Sequence, residues 1–148
     1  MNFKKIGLFI LYLIPWFISA ILFRSNPNYY NTLNQPFFAP PPWLFGIIWP
    51  ILYLLITYSI YNIYKYSNKD YKKALLINYI SNQLFSFFFF TIKNNFLSLI
   101  DTIIVLISSI YLYRLTNQID KKYSKYLIPY IIWNIFASIL ILAFFAMN

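Results

Sequence analysis

Very few groups in this chain could do chemistry. Its 148 residues hold no histidine and no cysteine, and the acidic residues are Asp70, Asp101 and Asp120 alone. That set removes imidazole acid–base catalysis, thiolate nucleophiles, disulfides and zinc sites. Three scattered carboxylates cannot cage a hard cation either. No nucleophile stands beside a base, so hydrolytic catalysis is not expected. The remaining candidates are aromatics, amides and one carboxylate, Trp49, Asn82, Gln83, Phe85 and Asp101, with the small or apolar Ala137, Ser138 and Ile141 beside them. Such residues bind rather than react, with aromatic faces providing apolar burial and a few polar atoms fixing orientation. Asp101 lies within an apolar run, and an ionisable group in hydrocarbon is by default a functional candidate. The alternative is a carboxylate bonded to Asn82 or a tyrosine that fixes helix packing.

The elements carrying these residues are membrane spans. The chain is 61% hydrophobic and only 10% charged, against about 25% charged for a soluble domain. An all-α, single-domain bundle of five transmembrane helices is expected, over about 6–23, 43–65, 71–92, 96–115 and 126–147. Pro15 is tolerable as a kink in the first. A cleaved signal peptide would have a shorter apolar core and a better cleavage site than Ile18-Ser19-Ala20 offers. Between the first two helices lies a long polar and aromatic loop, residues 24–42, of a length that marks a functional element. Pro36, Pro40, Pro41 and Pro42 hold its last part extended. SNKD, KNN and TNQIDKKYSK provide the other connections.

Five spans put the termini on opposite sides, and charge chooses the orientation. Ten of the twelve basic residues fall on the N-terminal side, Lys4, Lys5, Lys65, Lys69, Lys72, Lys73, Arg114, Lys121, Lys122 and Lys125; only Arg24 and Lys93 fall opposite. This positive-inside bias makes the N-terminus cytoplasmic and puts the Pro-rich loop and the C-terminus outside. The net charge of +9 therefore reports topology, not nucleic-acid binding. At about 1.5 Å per residue the candidate residues all fall in the outer half, beneath the loop. Helical spacing also groups Gly46, Trp49 or Pro50, Tyr53 and Thr57 on one face, as it does Asn78, Asn82, Phe85 and Phe89. The same holds for Asp101, Val105, Ser108 and Leu112, and for Tyr130, Trp133 or Asn134, Ala137 and Ile141.

PFFAPPPWLFGIIWPILY at 36–53, NYISNQLF at 78–85, Leu99-Ile100-Asp101 and LIPYIIWNIFAS at 127–138 together resemble the TspO/MBR family. These are the tryptophan-rich sensory proteins related to the mitochondrial translocator protein, or peripheral benzodiazepine receptor. The resemblance implies a five-helix bundle, commonly a homodimer. Its pocket, roofed by the first loop, would bind porphyrins such as protoporphyrin IX and haem, sterols, and benzodiazepine-like drugs. By position it would comprise Tyr29 or Tyr30, Pro40, Trp49, Tyr53, Asn82, Gln83, Phe85, Asp101, Val105, Ala137, Ser138 and Ile141. No cofactor or metal is required; porphyrin or haem would be ligand. The family pattern carries tryptophan where this chain has Tyr29, Phe38, Phe85 and Leu142, losses that weaken light-dependent porphyrin breakdown more than binding. A sterol-recognition pattern is met at Leu106, Tyr111 and Arg114 but not on the last helix. A receptor or carrier is thus expected first, a porphyrin photo-oxidase second and a tetrapyrrole transporter third.

Overall fold

The computed structural model describes residues 2–148, and among these the chain folds into helices joined by short turns, apart from a longer non-helical stretch over 33–41. Five helices are long and apolar enough to cross a membrane: α1 (Phe3–Leu22), α3 (Pro42–Tyr66), α4 (Lys69–Thr91), α5 (Asn95–Ile119) and α6 (Lys121–Met147). A short helix, α2 (Pro27–Thr32), interrupts the first loop. The long helices pack in a closed ring, α1 on α3, α3 on α6, α6 on α5, α5 on α4 and α4 back on α1.

Local chemistry sets the boundaries. Asn26, Asn68 and Asn94 each accept a hydrogen bond from a backbone N–H three residues on, at 3.0 Å, and so cap α2, α4 and α5. Pro27 and Pro42 occupy first-turn positions where a missing N–H costs nothing. In α1, Pro15 opens a tight 3-10 turn over Ile14–Phe17. The aromatic run Phe87–Thr91 widens the end of α4 into a π-helix, and Lys93, at φ 59°, reverses the chain in the left-handed region.

Three expectations need correction. Loop 24–42 contains a helix, α2, because Asn26-Pro27 is a capping pair. TNQIDKKYSK is not a loop: α5 continues to Ile119, and α6 begins at Lys121 rather than 126. Only Asp120 lies outside helix there, and its side chain caps the Lys122 N–H at 2.8 Å. Ser124 bonds across the turn to Asn117 at 3.0 Å, so polar residues beyond the membrane keep helical geometry. The third span starts at Lys69, two residues before its expected start.

The core has two parts. Toward the lysine-rich end, Leu52, Tyr53, Ile56, Ile60, Tyr71, Val105, Leu112, Leu127 and Tyr130 form one buried cluster. Under the loop, Tyr30, Phe89, Leu140, Ile141 and Phe144 form another. The outer faces carry exposed isoleucines and leucines, such as Ile51, Ile80, Ile103, Ile107, Ile132 and Ile139. Apolar area of that extent belongs in lipid.

Candidate functional site

Between the two clusters, amides and phenols tie the helices together. Tyr53 donates its hydroxyl proton to Asn82 Oδ1 at 3.1 Å, and Asn82 Nδ2 donates to the Tyr130 hydroxyl at 3.1 Å. Tyr130 in turn donates to Asn78 Oδ1 at 3.1 Å. Asn78 Nδ2 then reaches Ser108 Oγ at 2.9 Å and the Val105 carbonyl at 3.2 Å. All of these side chains are buried, which makes every satisfied partner consequential.

Gln83 joins α1 to this network. The Ser19 N–H donates to Gln83 Oε1 at 2.9 Å, while Gln83 Nε2 donates to the Trp16 carbonyl at 3.1 Å and Asn82 Oδ1 at 3.0 Å. The tight turn at Pro15 leaves backbone groups around Trp16 and Ser19 without regular helical partners. Gln83 supplies those partners. Its amide therefore stitches a helix break, a role that helical spacing alone could not reveal.

Directly above lies a small cavity of about 30 Å³ lined by Trp49, Asn82, Phe85, Thr102, Val105, Asn134 and Ala137. Five of these were expected from the sequence. Thr102 and Asn134 were missed as lining residues, although Asn134 shares the Tyr130 and Ala137 face and Thr102 adjoins Asp101. The volume suffices for a water or two, against roughly 300–1,000 Å³ for a drug-sized ligand. As it stands, the cavity is too small for such a ligand.

Around the cavity stand oxidisable rings. Trp49 stacks obliquely on Tyr53 at 5.5 Å and meets Trp133 edge-on at 6.4 Å, while Tyr53 stacks on Trp16 at 5.5 Å. Tyr53 itself does not line the cavity; it packs behind two lining residues, Trp49 and Asn82. Ser138 bonds back to the Asn134 carbonyl at 2.8 Å.

Ile141, Tyr30 and Tyr29 belong to the roof. Tyr30 donates to the Pro40 carbonyl at 2.7 Å, and Tyr29 packs edge-on against Phe89 at 5.6 Å. Burial pushes both hydroxyls up from the ordinary value near 10, Tyr30 to about 12, so each stays a neutral donor at physiological pH. The Lys93 ammonium caps the Tyr29 ring at 5.2 Å. Asn34 and Asn148 clasp each other: Asn34 N–H donates to Asn148 Oδ1 at 2.8 Å, Asn148 Nδ2 to the Asn34 carbonyl at 3.0 Å, and Asn34 Nδ2 to the Met147 carbonyl at 3.1 Å. The loop is thus pinned to the end of α6.

Asp101 is 4% exposed, and its partner is neither Asn82 nor a tyrosine. Ser81 Oγ donates to its Oδ1 at 2.6 Å, leaving Oδ2 buried without a protein partner. The donor is the residue before Asn82 on α4, while Asn82 itself bonds to Tyr53, Gln83 and Tyr130. Trp133 Nε1 is likewise buried without a protein partner. Among the described residues no three His, Cys, Asp or Glu side chains gather into a metal site.

A closed ring of five apolar helices around buried amides, with an aromatic roof at one end, defines an integral membrane protein. The chain belongs to the TspO/MBR family, whose model matches residues 7–147. It is 34% identical to the tryptophan-rich protein TspO of Bacillus cereus across the whole of both chains. It is 33% identical to an uncharacterized membrane protein, YtaB, of Bacillus subtilis over 98% of each chain. The tryptophan-rich protein TspO of Archaeoglobus fulgidus is 33% identical over 84% of this chain and 83% of its own.

Proposed function

We propose that this protein is a receptor or carrier in a bacterial cell membrane for a planar, largely apolar tetrapyrrole, protoporphyrin IX or haem, with sterol- or benzodiazepine-like molecules as further ligands. The observation that carries this reading is the wall of Trp49 and Phe85 facing polar Asn82, Thr102 and Asn134 under a pinned aromatic loop. That is the composition of a small-molecule site. Since the cavity is about 30 Å³, binding requires the roof to lift and Phe85 to move aside. A transporter would need opposed gates or coupling charges, and Asp101 is the one carboxylate within the spans' interior.

Titrating the purified protein with protoporphyrin IX should quench tryptophan fluorescence saturably. Trp49→Ala should weaken binding at least tenfold, about 1.4 kcal/mol for a lost stacking face. Unchanged affinity in that variant refutes the site.

The run Trp133, Trp49, Tyr53, Trp16, with centroids 5.5–6.4 Å apart, favours a second reading, light- and oxygen-dependent porphyrin breakdown. Protoporphyrin illuminated with the protein in detergent should vanish no faster than with an unrelated membrane protein. An excess abolished by Trp49→Phe would make the enzyme reading the better one.

The same proposal includes a homodimer and a cytoplasmic N-terminus. Single cysteines at Asn34 and Ser67, labelled by an impermeant thiol reagent in intact cells, test the orientation. Labelling of Ser67 but not Asn34 inverts it.

A further inference from the structure

We infer a second ligand site, on the lipid-facing surface, that holds a zwitterionic amino-phospholipid. A groove of about 390 Å³ runs between α4 and α5, within the roughly 300–1,000 Å³ of small-molecule sites and far larger than the cavity inside the bundle. Two matched stripes build it. Asp70, Lys73 and Ile77 lie on α4, and Ile104, Ile107 and Tyr111 lie on the antiparallel α5. Each stripe spans eight residues, about 10 Å of depth and a third of a hydrocarbon core.

The floor is made of small buried side chains, Ala74 at 4% and Ser108 at 8% exposed, while Ile77, Ile104 and Ile107 stand exposed as walls. A concave apolar trough opening on the bilayer is filled by an acyl chain. Ser108 offers that chain no free polarity, because its hydroxyl already accepts from Asn78 and donates to the Val105 carbonyl.

The mouth distinguishes one lipid from bulk. Lys73 and Asp70 are exposed and one helical turn apart on the same stripe, with Tyr111 across from them. Lys73 suits a phosphate and Asp70 suits an ammonium, so a headgroup carrying both satisfies both. A purely anionic headgroup meets Asp70 as a like charge. Lys72 does not compete at the mouth, since its ammonium sits over the Tyr64 ring at 5.1 Å. Nor does the sterol pattern describe this groove: Leu106 and Tyr111, five residues apart, point about 140° away from each other around the helix. The site is independent of the tetrapyrrole reading, for it shares no residue with the inner cavity.

Native mass spectrometry of the full chain in detergent, titrated with dioleoyl phosphatidylethanolamine, dioleoyl phosphatidylglycerol and cholesterol, tests the proposal. Phosphatidylethanolamine should bind about fivefold tighter than phosphatidylglycerol, the effect of one charge near a membrane surface. Lys73→Gln should cut phosphatidylethanolamine binding about fivefold. Asp70→Asn should abolish the preference by improving phosphatidylglycerol. Ile107→Trp, an exposed position, should fill the groove and weaken both phospholipids at unchanged melting temperature. Equal or tighter binding of phosphatidylglycerol or cholesterol to the wild-type protein overturns the site. So does an Ile107→Trp variant that changes the monomer–dimer distribution while phospholipid binding stays the same, which would give this face to a second copy of the chain.

Discussion

Replacing Asn78 by leucine tests the idea that the buried amides hold the bundle together rather than hold ligand. Asn78 is fully buried and makes three interhelical hydrogen bonds, to Val105 and Ser108 on α5 and from Tyr130 on α6. Interhelical hydrogen bonds in membranes average about 0.6 kcal/mol, so Asn78→Leu, which keeps the volume, should cost about 1.8 kcal/mol. Tyr130→Phe breaks two bonds, one to Asn78 and one from Asn82, and should cost about 1.2 kcal/mol. Because one bond is common to both, the double variant should lose about 2.4 rather than about 3 kcal/mol. Reversible unfolding in mixed dodecyl sulfate micelles, followed by far-UV circular dichroism, measures all three. Asn78 lies outside the cavity lining, so protoporphyrin affinity of the folded Asn78→Leu variant should be unchanged. Strict additivity in the cycle, or lost affinity with full stability, would refute the reasoning.

The clasp between Asn34 and Asn148 should control access rather than stability. Asn148→Ala removes two of the three bonds joining the loop to α6, so amide hydrogen exchange around residues 33–36 should quicken and the ligand on-rate rise, with little change in melting. Tyr30 predicts an alkaline transition. Its hydroxyl is raised from the ordinary value near 10 to about 12 by burial, so the neutral form is favoured in the folded state. The contribution is fully present below pH 10 and is lost as pH climbs from 10 to 12. Tyr30→Phe should flatten that part of the stability profile; an unaltered profile would show that Tyr30 is not the titrating group.

The five spans were legible because bilayer thickness imposes a run length that no loop imitates, as the extent of α3, within one residue of expectation at each end, attests. Where lipid stops, that signal stops too. The helical continuation through Thr116–Ile119 and Lys121–Ser124 carries no apolar period, and its polar residues read as a loop. The six residues of α2 are too few to show a period, although Asn26-Pro27 already spells a cap. Within the site, Trp49, Asn82, Phe85, Val105 and Ala137 were legible because inward spacing and depth agree for each. Gln83 was not: its role depends on the groups exposed by Pro15, 68 residues away in sequence, and no periodicity on one helix reports a break in another. Asp101 was legible as buried, but not its pairing with Ser81, because spacing along α4 does not say which of two adjacent polar side chains meets a carboxylate on α5.

Pro50 gives the roof a mechanical character. Lacking an N–H, it leaves the Gly46 carbonyl without its intrahelical donor, and beside Gly46 there is open space, with no atom within 4 Å of where a side chain would begin. The helix is therefore weakest there, while Pro40, Pro41 and Pro42 form a stiff strut from its first turn back to the loop, where Pro40 is gripped by Tyr30. Pro50 sits inside an otherwise continuous helix, so a bend there would turn the loop, the strut and the turns above it as a lever about the proline. The long arm, Pro42 to Pro50, is about 12 Å, whereas the backbone of Trp49 sits about 1.5 Å from the pivot. Were the helix to bend at Pro50, a displacement of the loop would be scaled down about eightfold at Trp49, leaving that ring close to its seat on Tyr53.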